Sequence, residues 1–422
     1  MSELLEQMFE WDRWNDLIDN ANDKNIEVAT LKKLCEPETR VRLYYAMKTG
    51  NYEIAPPHIA RIPKDNGDFR EVYVNEPVDR VVLTLINEVI SEMFKDEIHP
   101  SCKSYQKGIG CQEVVKNVSK AIVELDDMSA AWKADLSKYF DSVKIECIDA
   151  ILDKLERRLN YEKGTEPVIN ILRKYYHNDF VFDVEGNLIE HYGSLKQGCA
   201  FASFLANVML YEIDTILSNM DIIYVRYSDD ILMIGKDANE AKMILESMLP
   251  EYGLHLNPKK VEKLDADHWF KFLGFNIKGE LITLSKSRVK KFQKEIEKRT
   301  IKKKNTNLYN ARRSIIKYLY EGEYCWATSC LGTVNCEHDI NEMNKFIMDC
   351  LRAVQTGKKK VGGLGVVDNL PDRTILRGTG KNITSNRQKT EKMIENYLTV
   401  GCLTKALKMN KTIYGACVRS MR

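Results

Sequence analysis

Apolar residues along this chain recur in two rhythms, and the rhythm changes mark its parts. From the N-terminus to about residue 55 the spacing is three and four: Leu4, Leu5, Met8, Trp11, Trp14, Leu17 and Ile18 predict helices with one buried face. From Ala60 the pattern becomes that of strands, I-A-R-I-P-K-D-N-G-D-F-R-E-V-Y-V, with Asp65-Asn66-Gly67-Asp68 predicting a hairpin turn. Val82, Leu85, Ile86, Val89, Ile90 and Met93 then predict a helix over 79–94. A short strand is predicted over Trp132–Leu136, and one or two helices over 146–176, broken near Gly164. A hairpin follows over 181–192, turning at Glu185-Gly186-Asn187, then a long apolar helix over 200–217. Ile222–Arg226 and Ile231–Ile234 predict a third hairpin, followed by a helix over 239–252. From Ser285 the periodicity is helical again, in a lysine-rich background.

Acids stand at two places in this pattern where apolar strands are expected. Asp229 and Asp230 sit side by side at the tip of the 222–234 hairpin, and Asp135 lies inside the strand at 132–136. Neighbouring carboxylates repel one another, and an acid in a buried strand needs a partner, so a divalent metal is the commonest answer. An ordinary polar turn is the alternative reading of the hairpin taken by itself. The two acid sites are 94 residues apart with helices between them, a βαβ-like layout in one antiparallel sheet. Strands adjacent in such a sheet can share their acids around a metal pair, as two-metal phosphoryl transfer requires. The outline is that of a polymerase palm.

Length and composition narrow the class. A chain of 422 residues, 44% hydrophobic and 29% charged, has the composition of a soluble globular protein of two or three subdomains. Its acidic N-terminus is unlike a signal peptide and no uncharged apolar run reaches 18 residues, so a cytoplasmic protein is expected. The 11 cysteines are read as reduced thiols. Cys325, Cys330, Cys336 and His338 leave zinc as an alternative, in a spacing that matches no established pattern.

The net charge of +2 conceals two basic blocks. Residues 286–317 hold 13 Lys or Arg against 2 Glu, net +11, and residues 358–422 hold 14 against 4 acids, net +10, leaving −19 for the remainder. Such blocks suit a phosphate backbone; a solvated helix face is the alternative. Lys286, Lys290, Lys291, Lys302, Lys303, Lys358, Lys359 and Lys360 are the candidate nucleic-acid contacts.

Five stretches, in order, resemble the reverse transcriptases: R-I-P-K-D-N-G-D-F-R, A-D-L-S-K-Y-F-D, G-S-L-K-Q-G-C, Y-S-D-D, and L-N-P-K-K with F-L-G-F. The resemblance covers about residues 61–275 and implies an α+β, right-hand polymerase architecture of fingers, palm and helical thumb. The divisions expected are a helical extension at 1–58, fingers and palm at 59–283, a basic thumb at 284–357 and a basic segment at 358–422. It implies an RNA-directed DNA polymerase that adds dNTPs to a primer 3′-OH with two Mg2+ ions, which Mn2+ can replace. Asp135 and Asp229 would bind both ions, Asp230 would support them, and the Leu136 carbonyl would be a further ligand. Arg70 and Lys64 would hold the triphosphate, Gln197 and Gly198 would lie along the templating pair, and Lys259 or Lys260 would assist pyrophosphate release. Phe140 would exclude a ribose 2′-OH.

Ser228 and Lys196 depart from the family pattern, where bacterial members often carry Ala before the acid pair and Pro before the loop glutamine. The overall style looks most like the defence-associated bacterial enzymes, more distantly like retron and group II intron enzymes, with a dedicated non-coding RNA as template and DNA as product. No endonuclease motif is recognised after the palm, which favours an enzyme acting without one. Untemplated or protein-primed synthesis and a non-catalytic RNA-binding scaffold are the alternatives.

Overall fold

The computed structural model describes residues 2–21, 24, 26–64, 67–125, 128–265, 268–321, 325, 326, 329, 330 and 332–356. The chain opens with α1 (Glu3–Met8), α2 (Trp11–Asp19), α3 (Val28–Leu34) and α4 (Pro37–Lys48). A hairpin of β1 (His58–Pro63) and β2 (Phe69–Val74) leads to α5 (Pro77–Met93) and α6 (Cys111–Glu124). Next come β3 (Ala131–Asp135), α7 (Tyr139–Ser142), α8 (Ile145–Arg158), α9 (Pro167–Tyr176) and the hairpin β4 (Phe180–Phe182) and β5 (Leu188–Glu190). They are followed by α10 (Ala202–Val208), α11 (Tyr211–Ser218), β6 (Ile222–Tyr227), β7 (Asp230–Gly235), α12 (Ala238–Met248) and β8 (Glu262–Lys263). The last described elements are β9 (Phe270–Phe272), β10 (Phe275–Lys278), β11 (Leu281–Leu284), α13 (Lys286–Arg299), α14 (Leu308–Tyr320) and α15 (Glu337–Thr356).

These elements form two compact units. Unit 1 comprises Met1–Ile109 and Asp127–Leu264; unit 2 comprises Gly110–Asp126 and the chain from Asp265. Unit 1 contains two sheets. One has the order β2-β1-β4-β5 and the other the order β6-β7-β3-β8. In the second sheet β7 is flanked on both sides by antiparallel neighbours. Ile231, Leu232, Met233 and Ile234 are all buried, which is why this strand reads as an unbroken apolar run rather than an alternating one.

The N-terminal helices belong to the core of unit 1. Leu4, Leu5, Met8, Trp14 and Leu17 are buried in the same cluster as Val82, Ile86 and Ile90 of α5 and Ile169 and Leu172 of α9. The Ser2 hydroxyl accepts from the Leu5 amide as the cap of α1 and donates to Glu166, whose carboxylate in turn caps α9 at the Ile169 amide, 2.7 Å away.

Two predicted helices are divided. The stretch 200–217 holds α10 and α11 with a turn at Met209–Leu210, and 239–252 holds α12 followed by a 3-10 turn at Leu249–Tyr252 that contains Pro250. The proline explains the second break, since its missing N–H ends the α-helical ladder. In unit 2, α6 buries Val114, Val115, Val118 and Ile122 and packs on β10 and β11, with Ser119 Oγ donating to the Gly279 carbonyl at 2.6 Å. The turn between β9 and β10 has left-handed Leu273 and Gly274, and Arg288 of α13 donates to the Leu273 carbonyl at 3.0 Å. Among the described residues no helix is long and apolar enough to cross a membrane.

Candidate active site

The acid hairpin turns in two residues. Tyr227 pairs with Asp230, leaving Ser228 and Asp229 as the turn, and Ser228 carries φ of 56° while Asp229 does not enter the left-handed region. A positive φ at the first turn residue alone is the type II′ pattern, which matches the twist of the strands. The neighbouring strand completes the site. Asp135, the last residue of β3, lies directly opposite Asp230, the first of β7, and the Leu136 amide donates to the Asp229 carbonyl at 3.0 Å. Asp135 and the distant pair Asp229-Asp230 thus stand at one end of one sheet.

Their environment makes negative charge costly. Burial, then the charge of Asp135, raises Asp229 above the usual carboxylate range. Burial, then the charges of Asp229 and Asp135, pushes Asp230 up to about 6. A cation already addresses this: Lys260 Nζ lies 2.7 Å from Asp135 Oδ2. Asn257 places it there, because its side chain accepts from the Lys259 amide and its carbonyl accepts from the Lys260 amide, curling the chain back toward β3. Of the two lysines expected in this role, Lys260 meets the acid, and the exposed Lys259 has no side-chain contact with it.

Desolvated, mutually repelling acids that attract an ammonium suit a divalent cation. Asp135, Asp229, Asp230 and the Leu136 carbonyl are the groups that would hold it. Among the described residues no three His, Cys, Asp or Glu side chains already converge as a metal cage, and this includes Cys325, Cys330, Cys336 and His338.

The remaining candidates fall around this centre in unit 1. Beyond Asp135 the chain kinks at left-handed Lys138 into α7, which carries Phe140. The Phe140 carbonyl accepts from the Leu195 amide at 2.9 Å and from Ser194 Oγ at 3.1 Å, tying it to the 193–198 loop. That loop lies against β2: the Tyr73 amide donates to the Gln197 carbonyl at 2.7 Å. Gly198 has φ of 111°, and a Cβ there would stand 2.6 Å from the Tyr73 carbonyl oxygen, so only glycine fits. Arg70 on β2 is near enough for its charge to lower Asp229, and the charge of Lys64 acts the same way on Asp141. Asp65 and Asn66, in the turn between them, lie outside the described residues.

Sequence reasoning missed the placement of three groups. Arg226, on β6 two residues before the turn, is fully buried with Asp214 and donates to both of its oxygens and to the carbonyls of Ala206 and Asn207. A cation inside the run I-I-Y-V-R-Y was the available signal, since a buried charge requires a partner. Lys196 is also fully buried; its Nζ lies over the Tyr175 ring and donates to the Asn178 carbonyl at 2.5 Å, and burial lowers it to about 8. Tyr105 approaches the acid turn itself, its hydroxyl 3.3 Å from Ser228 Oγ.

In unit 2, Lys286, Lys290, Lys291, Lys302 and Lys303 are exposed, and Lys302 is paired with Glu297 at 2.8 Å. On α13, Phe292 and Ile296 form the buried face and the lysines take the other. Lys358, Lys359 and Lys360 lie outside the described residues.

An antiparallel palm sheet with paired acids at its end, beside a second four-stranded sheet carrying Arg70, defines an α+β nucleotidyl-transferring polymerase fold. The sequence profile of the family described as "Reverse transcriptase (RNA-dependent DNA polymerase)" matches residues 62–277, a little over half of the chain, and the chain belongs to that family. Reverse transcriptase domains use divalent metal ions.

Among curated proteins the chain is 25% identical over 349 residues to the "Putative COX1/OXI3 intron 1 protein" of Saccharomyces cerevisiae, covering 67% of this chain and 40% of that protein. It is 20% identical over 272 residues to "Protein YkfC" of Escherichia coli, covering 54% of this chain and 68% of that one. The chain therefore spans less than half the length of the yeast relative. Among solved structures it is similar to telomerase from Candida tropicalis, with 11% identity, a TM-score of 0.46 and coverage of 90% of this chain and 73% of that one. For telomerase from Candida albicans the values are 12%, 0.42, 89% and 65%.

Proposed function

We propose that this chain is an RNA-directed DNA polymerase that extends a primer 3′-OH with dNTPs. The observation that carries the reading is the register of the palm sheet, which sets Asp135 opposite Asp230 with Asp229 in the turn between β6 and β7. Two Mg2+ ions bound there would activate the attacking hydroxyl and neutralise the triphosphate and its leaving group. Asp135 and Asp229 would hold the ions, with the Leu136 carbonyl and Asp230 completing the set. Arg70, with Lys64, binds the triphosphate as a counter-charge. Lys260, resting on Asp135, is the nearer of the two lysines to donate a proton to pyrophosphate. Gln197 and Gly198 lie along the templating pair, and the Phe140 ring closes the sugar pocket against a 2′-OH. The exposed lysines of α13 and the Lys302–Lys303 stretch bind the template–primer backbone through its phosphates.

The template we infer is a dedicated non-coding RNA, and the biological setting anti-phage defence in a bacterial cytoplasm. Support for this finer reading comes from the sequence style and from the basic blocks at 286–317 and 358–422. The purified protein, given labelled dNTPs with and without an RNA template and primer, should make DNA that copies the RNA, and Asp135→Ala or Asp229→Ala should abolish it. DNA of arbitrary sequence, attached covalently to the protein and insensitive to RNase, would sink the templated reading.

A further inference from the structure

Two hydroxyl side chains 123 residues apart meet at the acid turn, and both sit on strained backbone. Ser228 has φ of 56° and Tyr105 has φ of 53°, a region that side chains bearing a Cβ rarely occupy. Their oxygens are 3.3 Å apart, and either can donate. Ser228 is buried at 5% exposure whereas the Tyr105 side chain is open to solvent at 54%.

The segment that presents Tyr105 is fastened from several sides. The Lys103 amide donates to the Arg226 carbonyl at 2.8 Å, and the Arg226 amide donates to the Ser101 carbonyl at 3.0 Å. Ser104 exchanges two bonds with the buried Asn207 side chain, each 2.7 Å, and Gln106 Nε2 donates to the Cys102 carbonyl at 2.5 Å. The 101–106 stretch is thereby stitched to the same β6 strand that ends in the acid turn. A glycine at 228 would adopt the turn without strain. Serine there adds strain and a buried hydroxyl together, and the hydroxyl is met by Tyr105.

We propose that Tyr105 is a positioning residue for the acid turn: through the Ser228 hydroxyl it latches the left-handed conformation that keeps Asp229 and Asp230 opposite Asp135. The proposal rests on the reading of that turn as the polymerase centre. With the latch gone, the turn populates other conformations and the acids spend less time in register, so kcat falls while the affinity for template–primer does not.

Tyr105→Phe and Ser228→Ala each delete the bond and little else. Each should lower kcat roughly 2- to 10-fold, the range for one neutral hydrogen bond, with KM for template–primer unchanged. The double variant should be no worse than the worse single one. In a Ser228→Gly background, where no strain needs holding, Tyr105→Phe should have no further effect. Hydrogen exchange of peptides covering 222–235 should accelerate equally in the two single variants. Multiplying effects in the double variant, wild-type kinetics and exchange in Tyr105→Phe, or a rise in KM for template–primer at constant kcat would each overturn the latch. If the wild-type protein makes no DNA, the polymerase reading falls, and the exchange measurement by itself decides the latch.

Discussion

Removing the Asp214 charge tests how the palm holds its acid turn. Arg226 Nε donates to Asp214 Oδ1 at 2.8 Å and Oδ2 at 3.1 Å, and Nη2 donates to Oδ2 at 2.5 Å; both residues are wholly buried. Burial by itself would lower the guanidinium pKa, but the Asp214 charge reverses this and the net effect is upward. Asp214→Asn leaves that cation in the core with only the Ala206 and Asn207 carbonyls and a neutral amide. Breaking one side of a buried pair costs about 3–5 kcal/mol, which lowers the unfolding midpoint of a unit this size by roughly 10 °C. Arg226→Met should cost a similar amount, because it leaves Asp214 with the Tyr224 hydroxyl, 2.7 Å away, as its remaining partner. If the pair acts as one unit, the double variant costs about as much as one single variant rather than the sum. Thermal unfolding of the four proteins checks this, with hydrogen exchange of the 203–235 peptides locating the loss in β6. A cost below about 1 kcal/mol for Asp214→Asn, or strict additivity, would refute the reasoning.

Three further outcomes are expected. The folded-state pKa of Lys196, lowered from 10.5 to about 8, means that its charge is fully opposed below pH 8 and that stability rises with pH between about 8 and 10.5, where the unfolded chain binds more protons. Lys196→Met should lack that rise and be more stable near pH 7, by up to about 3 kcal/mol, as read from unfolding midpoints across this range. Asp230, raised from 3.8 to about 6, opposes folding at neutral pH, so Asp230→Asn should stabilise the protein at pH 7 by up to about 3 kcal/mol while lowering polymerase activity. That gain should fade as the pH falls through 6 toward 4, a trend opposite to that of a salt-bridged carboxylate. Phe140→Ala should raise ribonucleotide incorporation relative to deoxyribonucleotide at least roughly tenfold in single-nucleotide extension assays.

What the sequence disclosed and what it hid follow from the range of the forces involved. The acid hairpin, the strand ending at Asp135 and the 180–190 hairpin were legible because alternation and turn residues are local signals. The juxtaposition of Asp135 with Asp230 was readable as a need, since both acids interrupt apolar strands, but its register is set by pairing across 95 residues. The division of 200–217 into α10 and α11 was not readable: Met209 and Leu210 carry no helix breaker, and tertiary packing decides the turn. The burial of Lys196 gave no warning either. Its burial depends on an aromatic ring and a carbonyl that come from a different part of the chain.

The place of α6 in the chain has a consequence in time. Its apolar face packs on β10 and β11, whose first residue, Phe275, is synthesised about 150 residues after Glu124. At ribosomal rates of roughly 5–20 residues per second, that is a wait of roughly 8 to 30 s. During this interval Val114, Val115, Val118 and Ile122 are without the strands that later bury them, so unit 2 cannot close while the palm is still being made. A chain interrupted anywhere between those points carries a helix whose apolar face has no strand to cover it.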